Sequence, residues 1–175
     1  MIEINNLTTN PIKEEFLKKV AKIVLEGEHP SGGRVPAKTK ISLALVGSGR
    51  IRKLNKKYLG KNRVTDVLAF PQSRFLLEKS KTGQLEKIEG LGEIVICLRE
   101  VKKNTKRFGS TFEKELARIL IHGILHLLGK DQEKSKENAK KMEEKQEYYL
   151  SQVDLRRRVK DVRCKYRNLH LIPNI

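Results

Sequence analysis

Two histidines four positions apart, His122 and His126 in the segment IHGILHLLGKDQ, are the most chemically informative residues of the sequence. On a helix they lie one turn apart on the same face, where two imidazoles can bind a single transition metal. Gly129 ends the predicted helix, so residues just beyond it can turn back toward the same metal. Zinc proteases carry a glutamate directly after the first histidine, and here that position is Gly123. The spacing predicts a metal site and excludes a metalloprotease, with a pair of packed structural histidines as the alternative.

The histidines belong to a polar stripe on an otherwise apolar helix. Glu115 and Arg118 precede them on the same face, and we predict that all four side chains line a catalytic cleft. Glu115 lies seven residues before His122, about 10 Å along the helix axis, so it cannot share a metal with His126 but can contact substrate. The opposite stripe is predicted to be buried and consists of Leu116, Leu120 and Leu127.

Strands that alternate with helices must position this stripe. The apolar patterns predict an edge strand near residues 2–4 and strands over 41–46, 64–70 (ended by Pro71) and 91–98. They predict helices over 12–26, 48–58, 99–108, 111–128 (begun by a Ser110–Glu113 capping box) and 135–153. Residues 27–38 form a predicted loop and 72–90 a mobile polar excursion. The fold class is therefore α/β (α+β), a single domain whose small mixed sheet packs against helices, with the two histidines on a central helix.

Length and composition fit a single soluble domain. The chain has 175 residues, 38% of them hydrophobic, which suffices for a buried core and excludes overall disorder. We assign residues 1–154 to the domain and 155–175 to a basic tail, either solvated or an RNA-binding arm. No signal peptide, membrane span or CxxC pair is present, so the expectation is a cytoplasmic protein.

The net charge of +17 favours an anionic partner, and nucleic acid above a membrane surface. Aromatic residues make up only 5% of the chain, too few for an extensive platform on which bases stack. The residues expected to hold an RNA backbone lie on the second predicted helix or just after it and are Arg50, Arg52, Lys53, Lys56, Lys57 and Arg63.

Three motifs in order resemble one family. HGILHLLGKD is similar to the HGxLHLxGxDH signature of the bacterial YbeY-type endoribonucleases, VTDVLAFP to their TDVLSFP segment, and LGEIVIC to their LGDIVI strand. The resemblance covers roughly residues 40–150. It implies a three-histidine zinc site, hydrolysis of single-stranded ribosomal RNA, and association with the small ribosomal subunit. We expect neither a small-molecule cofactor nor a membrane as a partner.

The resemblance also carries over to individual positions. It implies that His122 and His126 are metal ligands and that Thr65 and Asp66 form the turn into a strand, in a capping or a catalytic role. The family's third histidine falls at Gln132, a weaker zinc donor, with Asp131 as a substitute. Other donors that the chain offers are His29, Cys164 and His170.

One further position departs from the family. The family's arginine falls at Leu59, with Arg63 as the replacement that the chain offers.

The expected function is a single-strand-specific endoribonuclease, dependent on one zinc ion, that matures the 3′ end of 16S ribosomal RNA and takes part in ribosome quality control. One alternative is a degenerate relative that binds pre-ribosomal RNA without cleaving it. The other is a metal-dependent hydrolase with a different anionic substrate.

Overall fold

A computed structural model describes residues 2–28, 39–79, 85–129 and 136–167, with side chains over 2–28, 39–72, 90–129 and 137–154. Its strands are β1 (Ile2–Asn6), β2 (Thr39–Val46), β3 (Val67–Lys79) and β4 (Leu85–Cys97). Its helices are α1 (Glu14–Glu28), α2 (Ser48–Leu59), α3 (Leu98–Phe108), α4 (Phe112–Leu127) and α5 (Lys136–Arg167). The predicted α/β fold class is confirmed, with the two histidines on α4.

The four strands form one mixed sheet in the order β1-β2-β4-β3. β2 pairs in parallel with β1 and β4, whereas β3 and β4 are antiparallel. The prediction of a mobile excursion over 72–90 is wrong for the described backbone, and Pro71 does not end its strand. Pairing continues from Arg74 opposite Gly90 to Lys79 opposite Leu85. The sequence hides this long antiparallel pair because Phe75, Leu76 and Leu77 are consecutive and do not alternate with polar residues as a half-buried strand would.

Side chains of the sheet alternate between two cores. Ile41, Leu43 and Leu45 of β2 point into the main core, which α1, α4 and α5 cover. Val46 of β2 belongs to a smaller cluster on the opposite face, where α2 contributes Ile51. Since α2 and α4 lie on opposite faces of the sheet, only residues near its edge can bring the two helices to a common site.

Helix α4 is the central element that the sequence predicted. Its N-cap is Thr111, whose Oγ1 accepts a hydrogen bond from the Lys114 backbone N–H at 3.2 Å. The predicted Ser110–Glu113 capping box is wrong: Thr111 is the cap, and Lys114 at the third helical position cannot return the second hydrogen bond of such a box. Gly123 is required where α4 crosses β4, because a Cβ there would lie 2.9 Å from Ile94 Cγ2. Gly129 follows the helix with a φ of +75°, as its predicted role as terminator demands.

Helix α5 packs against α1 and α4. Tyr149 is buried, and its hydroxyl donates to Glu28 Oε1 of α1 at 2.9 Å, beside an ion pair between Lys145 and Glu28. The helix passes position 155 without a break, and the division there into domain and basic tail stays a prediction. Among the described residues, no helix is long and apolar enough to cross a membrane.

Candidate active site

The two histidines of α4 point their Nε2 atoms at each other. The Nε2–Nε2 distance is 3.1 Å, and both rings are half-buried. Two nitrogen ligands on one tetrahedral zinc, each about 2.0–2.1 Å from the metal, are separated by roughly 3.3 Å. The separation of the two nitrogens therefore matches that of two ligands on one metal ion.

Gln146 of α5 orients the first of these rings. Its Oε1 lies 2.9 Å from Nδ1 of His122. If Nδ1 carries the proton and donates it to this oxygen, Nε2 keeps its lone pair toward His126, which is the tautomer that a metal ligand needs. Sequence reasoning missed Gln146, since it follows His122 by 24 residues on another helix and belongs to no motif near the histidines.

The histidines face an open cleft of about 480 Å³, here called the histidine cleft. Its walls come from the end of α2, the start of β3 and the second half of α4. Its lining is mixed, with apolar and polar groups in similar share, and consists of Leu59, Thr65, Asp66, Val67, Leu68, Ala69, Pro71, His122, His126 and Gly129. The structure thus brings Thr65 and Asp66 to the same cleft as both histidines.

Asp66 has a structural role in the turn that enters β3. Its Oδ1 accepts a hydrogen bond from the Val67 backbone N–H at 3.0 Å, and its carbonyl accepts one from Cys97 N–H at 2.8 Å. Asn104 of α3 donates to the other carboxylate oxygen at 3.3 Å. These bonds fix the cleft wall, so the capping role of Asp66 is present in the structure.

The histidine cleft contains no lysine or arginine among its described lining residues. Leu59, in the position of the family's arginine, is 53% exposed at the rim. Arg63 is exposed and does not line the cleft, although its carbonyl accepts a hydrogen bond from Asn55.

The other predicted RNA-binding residues are exposed on α2, on the opposite face of the sheet from α4. Arg52 donates to Asn62 Oδ1 at 2.9 Å, and the Lys57 ammonium lies 5.1 Å from the centroid of the Tyr58 ring. The residues concerned are Arg50, Arg52, Lys53, Lys56 and Lys57. Their positive charge lies beside the cleft and not inside it.

A second, smaller cavity of about 230 Å³ lies on the other side of His122 and is here called the arginine cavity. Glu115 and Arg118 line this cavity, and not the histidine cleft. Glu115 is 1% exposed, and the Nε of Arg118 lies 3.5 Å from its carboxylate. The predicted catalytic stripe is therefore divided between two cavities that share His122.

The residues predicted to supply a third metal ligand lie outside the part of the chain that the structure describes. Over the described ranges, no group of three or more His, Cys, Asp or Glu side chains is arranged to hold a metal. Asp131, Gln132, His29 and His170 fall outside those ranges, as does the side chain of Cys164. The predictions for Gln132 and Asp131 stay predictions.

The fold and the site define a small α/β domain whose central helix presents paired histidines to an open cleft. The family model described as Endoribonuclease YbeY matches residues 3–154 of this domain. The chain belongs to the YbeY family, which confirms the resemblance.

Individual relatives agree with this assignment. The chain is 42% identical over 136 residues to Endoribonuclease YbeY of Thermodesulfovibrio yellowstonii, spanning 78% of this chain and 76% of that protein. It is 37% identical over 151 residues to Endoribonuclease YbeY of a Thermoanaerobacter species, spanning 82% and 89%. The solution structure of TM1509 from Thermotoga maritima matches with a TM-score of 0.58 at 34% identity, covering 91% of this chain and 93% of that one.

Proposed function

We propose that this protein is a metal-dependent, single-strand-specific endoribonuclease of ribosomal RNA maturation. The observation that carries the proposal is the His122–His126 pair, whose Nε2 atoms face each other at 3.1 Å beside an open cleft. Membership of a family named for endoribonuclease activity supports the reaction class.

His122 and His126 would hold one zinc ion, with a third donor at Gln132 or Asp131. The fit rests on the distance between the two rings and on Gln146, whose amide oxygen would hold His122 in the tautomer that a ligand needs. When bound, zinc lowers the pKa of a coordinated water toward 7 and polarises a phosphate oxygen.

The chain's own residues would bind and orient the RNA. The apolar walls of the histidine cleft, including Leu59, Val67 and Pro71, suit the face of an unpaired base better than the charged backbone of a duplex. The exposed cations of α2 would hold phosphates that leave the cleft. With few aromatic side chains to read bases, we expect the choice of cleavage site to come from the small ribosomal subunit, in the cytoplasm.

Metal content and cleavage together test the proposal. Protein purified without added zinc is titrated with zinc by calorimetry and assayed on single-stranded and duplex RNA of one sequence. We expect one metal per chain and cleavage of the single strand only. His122→Ala and His126→Ala should lose both while keeping wild-type circular dichroism, because neither ring belongs to the buried core.

Two more variants identify the third donor. If position 132 faces the metal, Gln132→His should tighten zinc binding by about 10–100-fold, and Asp131→Ala should change little. If Asp131 is the ligand, Asp131→Ala should lose metal and Gln132→His should gain little. If the protein and all its variants bind RNA but neither bind metal nor cleave RNA, the endoribonuclease hypothesis is refuted. The alternative, a relative that binds pre-ribosomal RNA without cleaving it, then remains. Cleavage of DNA or small phosphoesters as fast as RNA would refute the substrate class.

A further inference from the structure

We propose that the arginine cavity is a subsite for one base of single-stranded RNA, next to the nucleotide in the histidine cleft. The inference rests on the proposed function, because the substrate is taken to be RNA. The two cavities share Asp66, Val67 and His122, so a strand lying across His122 enters both. At about 230 Å³ the cavity is smaller than the roughly 300–1,000 Å³ of typical ligand pockets, which suits a base and not a whole nucleotide.

The floor of this cavity carries an acceptor without donors. Glu115 is 1% exposed, and neither carboxylate oxygen receives a hydrogen bond from any residue that the structure describes. A buried polar group without a hydrogen-bond partner is costly, and the N–H groups on the edge of a base would satisfy it. The Arg118 guanidinium, 3.5 Å away, compensates the charge of this carboxylate without donating a hydrogen bond to it, so the N–H edge of an uncharged base suits the floor.

The rim supplies a ring and a cation. Phe108, at the end of α3, is 58% exposed, and the guanidinium of Arg107 lies 5.3 Å from the centroid of that ring. Arg118 is already held by Glu115 and Glu147, whereas Arg107 has no ion pair with a described carboxylate. An exposed aromatic face and an unpaired guanidinium are the groups that stack on a base and hold its phosphate. Arg107 also supplies the positive charge that the histidine cleft lacks.

Binding of a fluorescein-labelled RNA octamer tests the subsite. The octamer carries phosphorothioate linkages, which slow hydrolysis, and fluorescence anisotropy of the full-length protein is measured at several salt concentrations. Phe108→Ala should weaken the Kd by about 5- to 150-fold, the loss expected for one stacked base, without changing the salt slope. Arg107→Ala should make the slope of log affinity against log salt shallower by about 0.7, the contribution of one phosphate.

Arg99→Ala is the matched control, because Arg99 is an exposed arginine of the same helix that does not line the cavity. It should bind like the wild type, within about twofold. Octamers with one abasic position each then locate the contact. A single abasic position should abolish the difference between the wild type and Phe108→Ala.

Failure of the subsite and failure of the proposed function give different results. If both rim variants bind like Arg99→Ala while the wild type cleaves RNA, the subsite is refuted and the nuclease stands. If the wild type binds RNA without cleaving it, and the rim variants show the predicted losses, the subsite stands and the nuclease is refuted. An effect of Phe108→Ala that is equal for all abasic octamers would also overturn the subsite, since it would show no contact with a particular base.

Discussion

Replacing Gln146 by leucine tests whether the contact between α5 and α4 sets the metal-binding form of His122. Leucine has about the same size but cannot accept a hydrogen bond from Nδ1 of His122, from which Gln146 Oε1 lies at 2.9 Å in the wild type. Loss of the partner that orients a metal-bound histidine lowers metal affinity by about 10–100-fold, or about 1.4–2.7 kcal/mol. We expect a weakening of that size in zinc calorimetry.

A tautomer measurement separates this effect from simple loss of structure. Long-range ¹H–¹⁵N correlation of the metal-free protein should show the Nδ1–H form of His122 in the wild type and a larger share of the Nε2–H form in Gln146→Leu. Gln146→Glu restores an acceptor and should recover most of the affinity, since a carboxylate makes the imidazole a stronger ligand. Gln152→Leu makes the same change six residues later on α5 and should leave both measurements unchanged. Unaltered zinc affinity and an unaltered tautomer in a folded Gln146→Leu protein would refute the role assigned to Gln146.

Two other substitutions test the cleft and the junction between α1 and α5. Leu59→Arg restores a cation to the rim of the histidine cleft and should steepen the slope of log RNA affinity against log salt by about 0.7. The control Leu7→Arg places the same charge at another exposed leucine and should steepen the slope less. Equal effects of the two substitutions would contradict a phosphate at the rim. Burial is the main cause, and the hydrogen bond to Glu28 the second, that raises the pKa of Tyr149 above its usual value of about 10. The contribution of Tyr149 to the free energy of unfolding is therefore complete below pH 10 and declines as the pH rises further. In urea unfolding, Tyr149→Phe should be less stable than the wild type by about 1–3 kcal/mol at pH 8, and the gap should narrow above pH 10; a constant gap would contradict the assignment.

The elements that carry the site were predictable because each has a local signal. Helix α4 has an apolar stripe and a terminating Gly129, and its two histidines are adjacent on one face whatever the rest of the fold does. The strand that follows Asp66 has branched side chains, and the turn before it occurs in a motif that the family shares. Such signals depend only on residues that are close in the sequence, so they can be read from the sequence without the structure.

The parts that sequence reasoning missed depend on contacts between distant elements. Gln146 meets His122 only because α5 packs on α4, and nothing near Gln146 in the sequence indicates that contact. Arg107 and Phe108 end a basic helix whose pattern predicts solvent exposure, and only the packing of α3 against α4 places them at a cavity. The division of the polar stripe between two cavities also follows from that packing, since spacing along α4 puts all four side chains on one face.

His122 joins these contacts because its two nitrogens face different neighbours. Nε2 faces His126, and Nδ1 faces Gln146, which itself lines the arginine cavity. Gly123, the next residue, lets α4 lie against Ile94 of β4, so the backbone beneath the imidazole is fixed by the sheet. A base bound against Glu115 and Phe108 would therefore lie beside Gln146, which we propose orients His122 for a metal, one nucleotide away from the histidine cleft. The position of the scissile phosphate would then be set by rigid elements on both sides of His122, which is what a nuclease with few base-reading side chains requires.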